Sequence, residues 1–564
     1  MPRSRSICPA RTLLLLLLVV TVLVPFVSAS GPYEIGSANT VTADPLVRRP
    51  STTPCVVQLF TNMGFDYTNY NLNPYSYTPP ADCPGPWAKV VFEADIDVTA
   101  GIQYDRTINV WLGATNIFFG TTSEPGATLA PSWHVESDLT DYSSIFYAAQ
   151  TGSVFMGNNL CCGLSGIIYA SGTLEFYPLA KGETAPEAAD QVLALSAGPS
   201  GGTVALNTTS STLSGTFDFP LNVRAAYLDV YAQSQSDDEF WYTCVPNNVA
   251  SELESCVNTG FRETEITIDG QPAGVAPVDP WIFTGGIDPF LWFPIPGVQT
   301  LNFKPYRVNF TPFAGLLSNG QPHTVSLSVY NADSNFSATA SLLLYLDPDT
   351  AQITGAVTRN SLTGPSPVVT ENLNVQPTFI RGKVGVSSNR SFVISGYTDT
   401  SRGKVTTTVE QTIHFSNNQF FDITSAAFVQ NISQTSEVFS TTTTRADGAE
   451  HRVTSQWFNF PLTVDISLLY LSNGNVNQIT KAKQNYQSSV ITLRNHQPIY
   501  YSSLMNGGEH ADTLELNSSF EILGNTGQSS AQHYSYFDSN SAPYFCAISA
   551  SANVLTFFSP GCAK

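Results

Sequence analysis

Between residues 102 and 112 apolar and polar side chains alternate with period 2, in a run rich in β-branched and aromatic types. That pattern predicts a half-buried β-strand. Ile102, Tyr104, Ile108, Val110 and Leu112 then share one face with Arg106, while Gln103, Asp105, Thr107, Asn109 and Trp111 share the other. The second face combines a carboxylate, amides, a hydroxyl and an indole. Saccharides carry hydroxyls at their edges and C–H groups on their faces, so such a mixture suits a sugar-facing surface. A second strand-like segment at 133–140 places His134, Glu136 and Asp138 on one side, and the turn Ser123-Glu124-Pro125-Gly126 between the two adds another carboxylate.

The same alternation recurs along the chain. Strand candidates lie at 87–98, 102–119, 133–139 and 174–177, then at 217–232, 324–330 and 338–345, and later at 404–415 and 457–471. Short strands with long loops predict an all-β protein: two tandem jelly-roll-like β-sandwich modules followed by a third β-rich region. The expected boundaries are 54–180 for the first module, 181–212 for a linker or exposed loop with a short helix at 186–195, and 213–347 for the second module. A linker at 348–377 and a C-terminal β-rich domain at 378–564 follow. A Pro- and Thr-rich lead-in at 31–53 precedes them.

The first 30 residues are expected to be a signal peptide. Arg3, Arg5 and Arg11 precede an apolar run at 13–24, and Ser28-Ala29-Ser30 supplies small residues for cleavage. A membrane anchor is the alternative, but the run is short for a span. Arg48-Arg49 resembles a processing site, although Pro50 follows it directly. Acidic residues outnumber basic ones 44 to 24, and the net charge of −20 argues against nucleic acid or anionic membranes as partners. With charged residues at only 12% and Ser, Thr, Asn, Gly and Pro abundant, the chain reads as a secreted extracellular protein.

Cys8 lies in the leader, which leaves Cys55, Cys83, Cys161, Cys162, Cys244, Cys256, Cys546 and Cys562 for disulfides. Local pairs Cys55–Cys83, Cys244–Cys256 and Cys546–Cys562 would each close a short loop. Cys161 and Cys162 either go to different partners or pair with each other under strain. Sequons begin at Asn207, Asn309, Asn335, Asn389, Asn431 and Asn517.

The Tyr104-Asp105-Arg106 step, Val110-Trp111-Leu112-Gly113, Ser123-Glu124-Pro125 and the Trp133 segment occur in an order that resembles the peptide-N-glycosidase A family. Pro54-Cys55, Pro79-Pro80 with Cys83, Trp87 and Glu239-Phe240-Trp241-Tyr242 extend the resemblance over about residues 54–347. It implies an amidase that cuts between asparagine and the first N-acetylglucosamine of N-glycans, giving Asp and a glycosylamine, on glycopeptides or denatured glycoproteins and without a cofactor. A non-catalytic glycan-binding protein and a glycosidase are the competing readings.

Amide hydrolysis needs a base for water, an acid for the departing amine and donors for the oxyanion. Asp105 and Glu239 are the expected catalytic pair. Asp237 and Asp238 beside Glu239 are expected to raise its pKa. Glu124 would position water or grip a sugar hydroxyl. Trp111, Trp133 and Trp241 are candidate sugar platforms and Arg106 a candidate substrate contact, although parity turns Arg106 toward the apolar face. His134, Glu136, Asp138 and Asp141 fit no ligand loop, so no metal is expected.

Overall fold

The computed structural model describes residues 33–66, 72–446 and 450–562, so the expected signal peptide lies outside the described residues. The all-β class is borne out, and no helix is long and apolar enough to cross a membrane among those residues. In the first module, strand Trp87–Val98 turns Phe92, Ala94, Ile96 and Val98 inward and leaves Asp95 and Asp97 exposed. It pairs within the order Cys55–Phe65, Ile168–Pro178, Trp87–Val98, Ser132–Asp138. The opposing sheet runs Asn73–Tyr77, Gln150–Met156, Thr107–Leu112, Thr115–Thr121. Phe92, Phe118, Phe146 and Phe176 fill the space between the two sheets. Each such side chain contributes about 2–3 kcal/mol over its exposed state.

The second module faces one sheet, Val204–Leu206, Asn335–Leu346, Val223–Gln235, Tyr306–Asn309, with another, Leu213–Phe217, His323–Tyr330, Glu263–Ile268, Gln271–Pro277. Strand Asn335–Leu346 is buried on both faces. Leu342 and Leu344 point into its own core, whereas Leu343 and Tyr345 pack with the first module, and this holds the two sandwiches side by side.

The segments expected to be a linker or exposed loop (181–212) and a linker (348–377) supply strands. Residues 181–212 supply the strands Gln191–Leu195 and Val204–Leu206, which pair with Asn335–Leu346. The expected helix at 186–195 is therefore replaced by a strand, because Val192 and Leu193 find apolar partners against the sandwiches. Residues 348–377 supply Thr354–Asn360 and Val368–Gln376, which pair with Phe379–Thr400.

The C-terminal region is one 12-stranded antiparallel sheet whose longest strands, Phe379–Thr400 and Gly403–Thr424, have 22 residues each. Phe392, Ile394, Ile413, Phe415, Ile432 and Val438 on one face join the core of the second module. Alternation thus records a docked face.

The lead-in forms a strap across the molecule. The Val41 N–H donates to Pro294 O at 2.9 Å and the Ala43 N–H to Gln532 Oε1 at 2.7 Å. The Arg48 guanidinium donates to Ala542 O, and Arg49 is ion-paired with Glu93, Glu136 and Glu175. The dibasic step is thus tied into the fold.

Cys244–Cys256 and Cys546–Cys562 are bonded. Cys55 and Cys83 are free but adjacent, each thiol in the other's field, so the expected third bridge is not formed. Among the sequons Asn207 and Asn389 are exposed; Asn309, Asn335, Asn431 and Asn517 are half-buried.

Candidate active site

The strand expected from residue 102 begins at Thr107. Residues 101–106 are irregular, so parity does not govern them. Ile102 and Tyr104 are 60% and 59% exposed, Gln103 is buried and Asp105 half-buried. Asp105 is fixed by a backbone zipper. The Arg106 N–H donates to Thr122 Oγ1 at 2.8 Å, the Thr122 N–H returns to Arg106 O at 2.9 Å, and the Asp105 N–H donates to Glu124 Oε1 at 3.1 Å. Asp105 and Glu124 consequently lie side by side, with Glu124 only 8% exposed.

The second module closes the site with two segments. Thr121 N–H donates to Thr300 O at 3.1 Å and Thr284 Oγ1 to Thr122 O at 2.7 Å, which lays the loop at 279–305 along the edge of the first module. This brings Gly285 against both carboxylates. A Cβ there would stand 2.3 Å from Glu124 Oε1 and 2.4 Å from Asp105 Oδ1, so any larger residue would displace the two carboxylates. The Gly285 backbone, set against the Asp105 carboxylate, favours its ionised form. Nearby Ile287 sits at φ 65°, a costly conformation for a β-branched residue.

The other segment carries Glu239. After strand Val223–Gln235 the chain reverses at Ser236, φ 55°, and the Glu239 N–H donates to Ser236 O at 3.0 Å. Asp238, fully buried, anchors this turn. It accepts from Arg262 at 3.0 and 3.2 Å and from the N–H groups of Asp333, Ser334 and Asn335. Glu239 is left half-buried within the field of Asp105 across the module boundary.

The electrostatics follow from burial among like charges. Burial and the Asp105 charge push Glu124 up to about 8, although the charge of Arg106 opposes the shift. Burial and the same Asp105 charge push Glu239 up to about 7. Asp105 is raised by burial, while the Arg106 charge, the Glu124 side chain and the Gly285 backbone favour its ionised form. The expected cause for Glu239 is therefore corrected. Asp238 is neutralised by Arg262 and Asp237 is exposed, so the like charge comes from Asp105. The trio can hold a base, a retained proton and an acid in one small space.

The three tryptophans are core residues rather than platforms. Trp111 is buried beneath the Gly201 backbone, Trp133 lies in the first core, and Trp241 is buried 6.4 Å from Phe415 of the C-terminal sheet. Residues 236–243 form tight turns, and these carry the Trp241 ring inward. Arg106 faces the site edge instead of an apolar face. It donates to Gln103 Oε1 at 2.6 Å and lies 5.7 Å from the Tyr104 ring centre, and its Nε is buried without a partner.

His134, Glu136, Asp138 and Asp141 do not form one cluster. His134 bridges Asp95 and Glu136, whereas Lys89 holds Asp138 and Arg307 holds Asp141. Glu93, His134 and Glu136 converge closely enough for a cation, and the guanidinium of Arg49 already lies among them.

Gly285 and Thr122 belong to no motif in the sequence. The Gly285-Gly286 pair inside an otherwise aromatic and Pro-rich loop was the available signal.

A family model described as peptide N-acetyl-beta-D-glucosaminyl asparaginase amidase A matches residues 45–361. The peptide-N4-(N-acetyl-beta-glucosaminyl)asparagine amidase A of Prunus dulcis is 31% identical over 393 residues, covering 65% of this chain and 67% of that protein. Among solved structures, PNGF-II is 12% identical with a TM-score of 0.36, over 52% of this chain and 65% of that one. PNGase F, a glycosylasparaginase from Flavobacterium meningosepticum, is 12% identical with a TM-score of 0.34, over 52% of this chain and 96% of that one. The chain thus spans about two thirds of the length of the almond protein and of PNGF-II.

Proposed function

The chain belongs to the peptide N-acetyl-beta-D-glucosaminyl asparaginase amidase A family, and from that premise we propose that it is a peptide N-glycanase. In this reading it is a secreted hydrolase that cuts the amide between an asparagine side chain and the first N-acetylglucosamine of an N-linked glycan. Its substrates in this reading are glycopeptides or denatured glycoproteins, whose glycosylated asparagine would be brought to the carboxylates at the junction of the two sandwiches.

The observation that carries this reading is the convergence of Asp105 and Glu124 from one module with Glu239 from the other. Asp105, whose pKa burial raises against the opposing charge of Arg106, takes a proton from water in its ionised form. Glu124, pushed up to about 8, keeps its proton and steadies Asp105 by a hydrogen bond. Water oxygen adds to the side-chain carbonyl, and the unpaired Nε–H of Arg106 is the donor available for the oxyanion. As the carbon–nitrogen bond breaks, Glu239 gives its proton to the departing nitrogen. The products are Asp and a glycosylamine, which decays to ammonia and free glycan.

Mass spectrometry of a defined N-glycopeptide tests the proposal. The wild type is expected to convert the glycosylated Asn to Asp, and Asp105→Asn to slow this by about 10²–10⁴-fold. A glycopeptide that binds but stays intact would replace the amidase reading with a lectin, and a trimmed sugar left on Asn would replace it with a glycosidase.

A further inference from the structure

Cys161 and Cys162 lie on the loop between the strands Gln150–Met156 and Ile168–Pro178, both exposed and outside the two disulfides. The Cys162 thiol donates to the Cys161 sulfur across 2.9 Å. Adjacent side chains ordinarily diverge; here Cys162 has φ 61°, in the left-handed region, and the turn brings the sulfurs together. The other free thiols, Cys55 and Cys83, neighbour each other, so among the described residues this pair is left with itself.

The loop is tied to the catalytic centre by a short chain of hydrogen bonds. The Cys161 N–H donates to Asn159 Oδ1 at 2.8 Å, Gln103 Nε2 donates to Asn159 O at 2.8 Å, and Arg106 Nη2 donates to Gln103 Oε1 at 2.6 Å. The Ser165 N–H holds Ile102 O at 2.8 Å. Only Asn159 and Gln103 therefore stand between the thiols and the residue that follows Asp105. With the tryptophans buried, the exposed apolar surface beside this loop is that of Ile102 and Tyr104.

We propose that Cys161 and Cys162 are a redox-active pair at the rim of the catalytic site, which low-molecular-weight disulfides close into a vicinal disulfide that tunes substrate binding. The effect on binding rests on the amidase reading; the closure itself does not. Cys161 is the attacking sulfur, since the Cys162 thiol, the Asn159 side chain and the Arg106 charge all lower its pKa. Its thiolate attacks one sulfur of the small disulfide and displaces one thiol. Cys162 then attacks the Cys161 sulfur and displaces the second, so two cysteines are oxidised, one disulfide is reduced and the two cysteine protons end on the released thiols. Consecutive Cα atoms are about 3.8 Å apart, below the ~4.4–6.8 Å usual for disulfides, so the ring is strained and easily reduced. Cys244–Cys256 and Cys546–Cys562, spanning 12 and 16 residues, carry no such constraint and persist.

The test equilibrates the full chain in glutathione buffers of graded poise, alkylates the free thiols and weighs the peptide carrying residues 161 and 162. Two alkyl groups under reducing conditions, and an unalkylated peptide lighter by two hydrogens under oxidising ones, are expected. The midpoint should be more oxidising than for either other disulfide. A stable glutathione adduct, or thiols that remain alkylable at the oxidising end, would overturn the closure. With a defined N-glycopeptide the oxidised form is expected to show a several-fold change in KM with kcat retained, and Cys161→Ser/Cys162→Ser to show no redox response. An unchanged KM on ring closure would overturn the coupling. Absence of turnover in both states would mean that the amidase reading has failed, while the trapping result still decides the ring.

Discussion

Asp105 and Glu124 compete for a proton in a space that excludes most water, and Glu239 feels the outcome from the opposite module. Because the Asp105 charge contributes to the raised pKa of Glu239, the two are linked in a measurable way. An acid must hold its proton to give it, so the rate is expected to fall as pH rises through about 7, where Glu239 ionises, and further through about 8, where Glu124 does. Glu239→Gln should remove the first limb along with most of the activity, and a profile flat to pH 9 would sink this assignment of roles. Gly285 offers an independent check. In Gly285→Ala the methyl group would overlap both carboxylates, and kcat is expected to fall at least about 100-fold while Tm changes little, because the loop is anchored elsewhere. At this scale the sequence singles out Asp105, Glu124 and Glu239 through short motifs, and the structure brings them near one another. The sequence was misleading where a side-chain direction was taken from strand period. Arg106 was turned toward the apolar face by a period that the irregular backbone at 101–106 does not have, whereas Trp111 lies on the regular strand Thr107–Leu112, whose outer face the Gly201 backbone covers.

The C-terminal sheet meets the segments that carry Glu239 and Gly285 through a row of amides on its docked face. Asn417 Nδ2 donates to Tyr242 O at 2.8 Å and Gln419 Nε2 to Cys244 O at 2.8 Å, gripping the segment that follows Glu239. Gln484 Nε2 donates to Pro280 O and its Oε1 accepts from the Val298 N–H, Gln478 Nε2 donates to the strained Ile287 carbonyl, and Gln528 Nε2 to Phe293 O. These bonds hold both ends and the middle of the loop that presents Gly285. Gln484→Leu leaves a buried carbonyl and a buried N–H unpaired, at a cost of about 2–5 kcal/mol, and should lower Tm and kcat together. If activity survives intact in a variant of lowered Tm, the sheet stabilises the fold without positioning the site. Alternating Thr, Val and Phe announced these strands, but Asn and Gln at alternate positions look the same whether they face water or a carbonyl. Likewise Gln191–Leu195 resembles a helix until Asn335–Leu346 is there to pair with it.

Across the whole molecule, burial has left several carboxyls better tolerated neutral than charged, and this fixes how stability responds to pH. Asp288, fully buried on the loop after Gly285, meets Asp512 of the C-terminal sheet; burial and then the Asp512 charge push it up to about 7. Asp512 is itself raised by burial. An unfolded aspartate loses its proton near pH 4, so between about 4 and 7 the folded protein binds a proton that the unfolded chain has released. Stability from this pair is therefore complete below about pH 4 and declines as pH rises through about 7. Asp279, pushed up to about 7 by burial, adds a decline of the same sign. Glu136, Asp269 and Asp347 are lowered and act oppositely, losing their contribution as pH falls below the ordinary carboxylate range. The two sets together place maximum stability in mildly acid medium, near pH 4–5, and the net charge of −20 steepens the loss above it. Asp288→Asn keeps an oxygen to accept from the Phe290 N–H and supplies a donor toward Asp512 at every pH. It is expected to raise Tm at pH 8, leave it nearly unchanged at pH 5 and flatten the slope between them. A variant whose slope matches the wild type would show that the junction of the second module with the C-terminal sheet does not set the pH response. Calorimetry across that range distinguishes the two, and it does so without any substrate, because the pair joins the domains whether or not the site beside it is working.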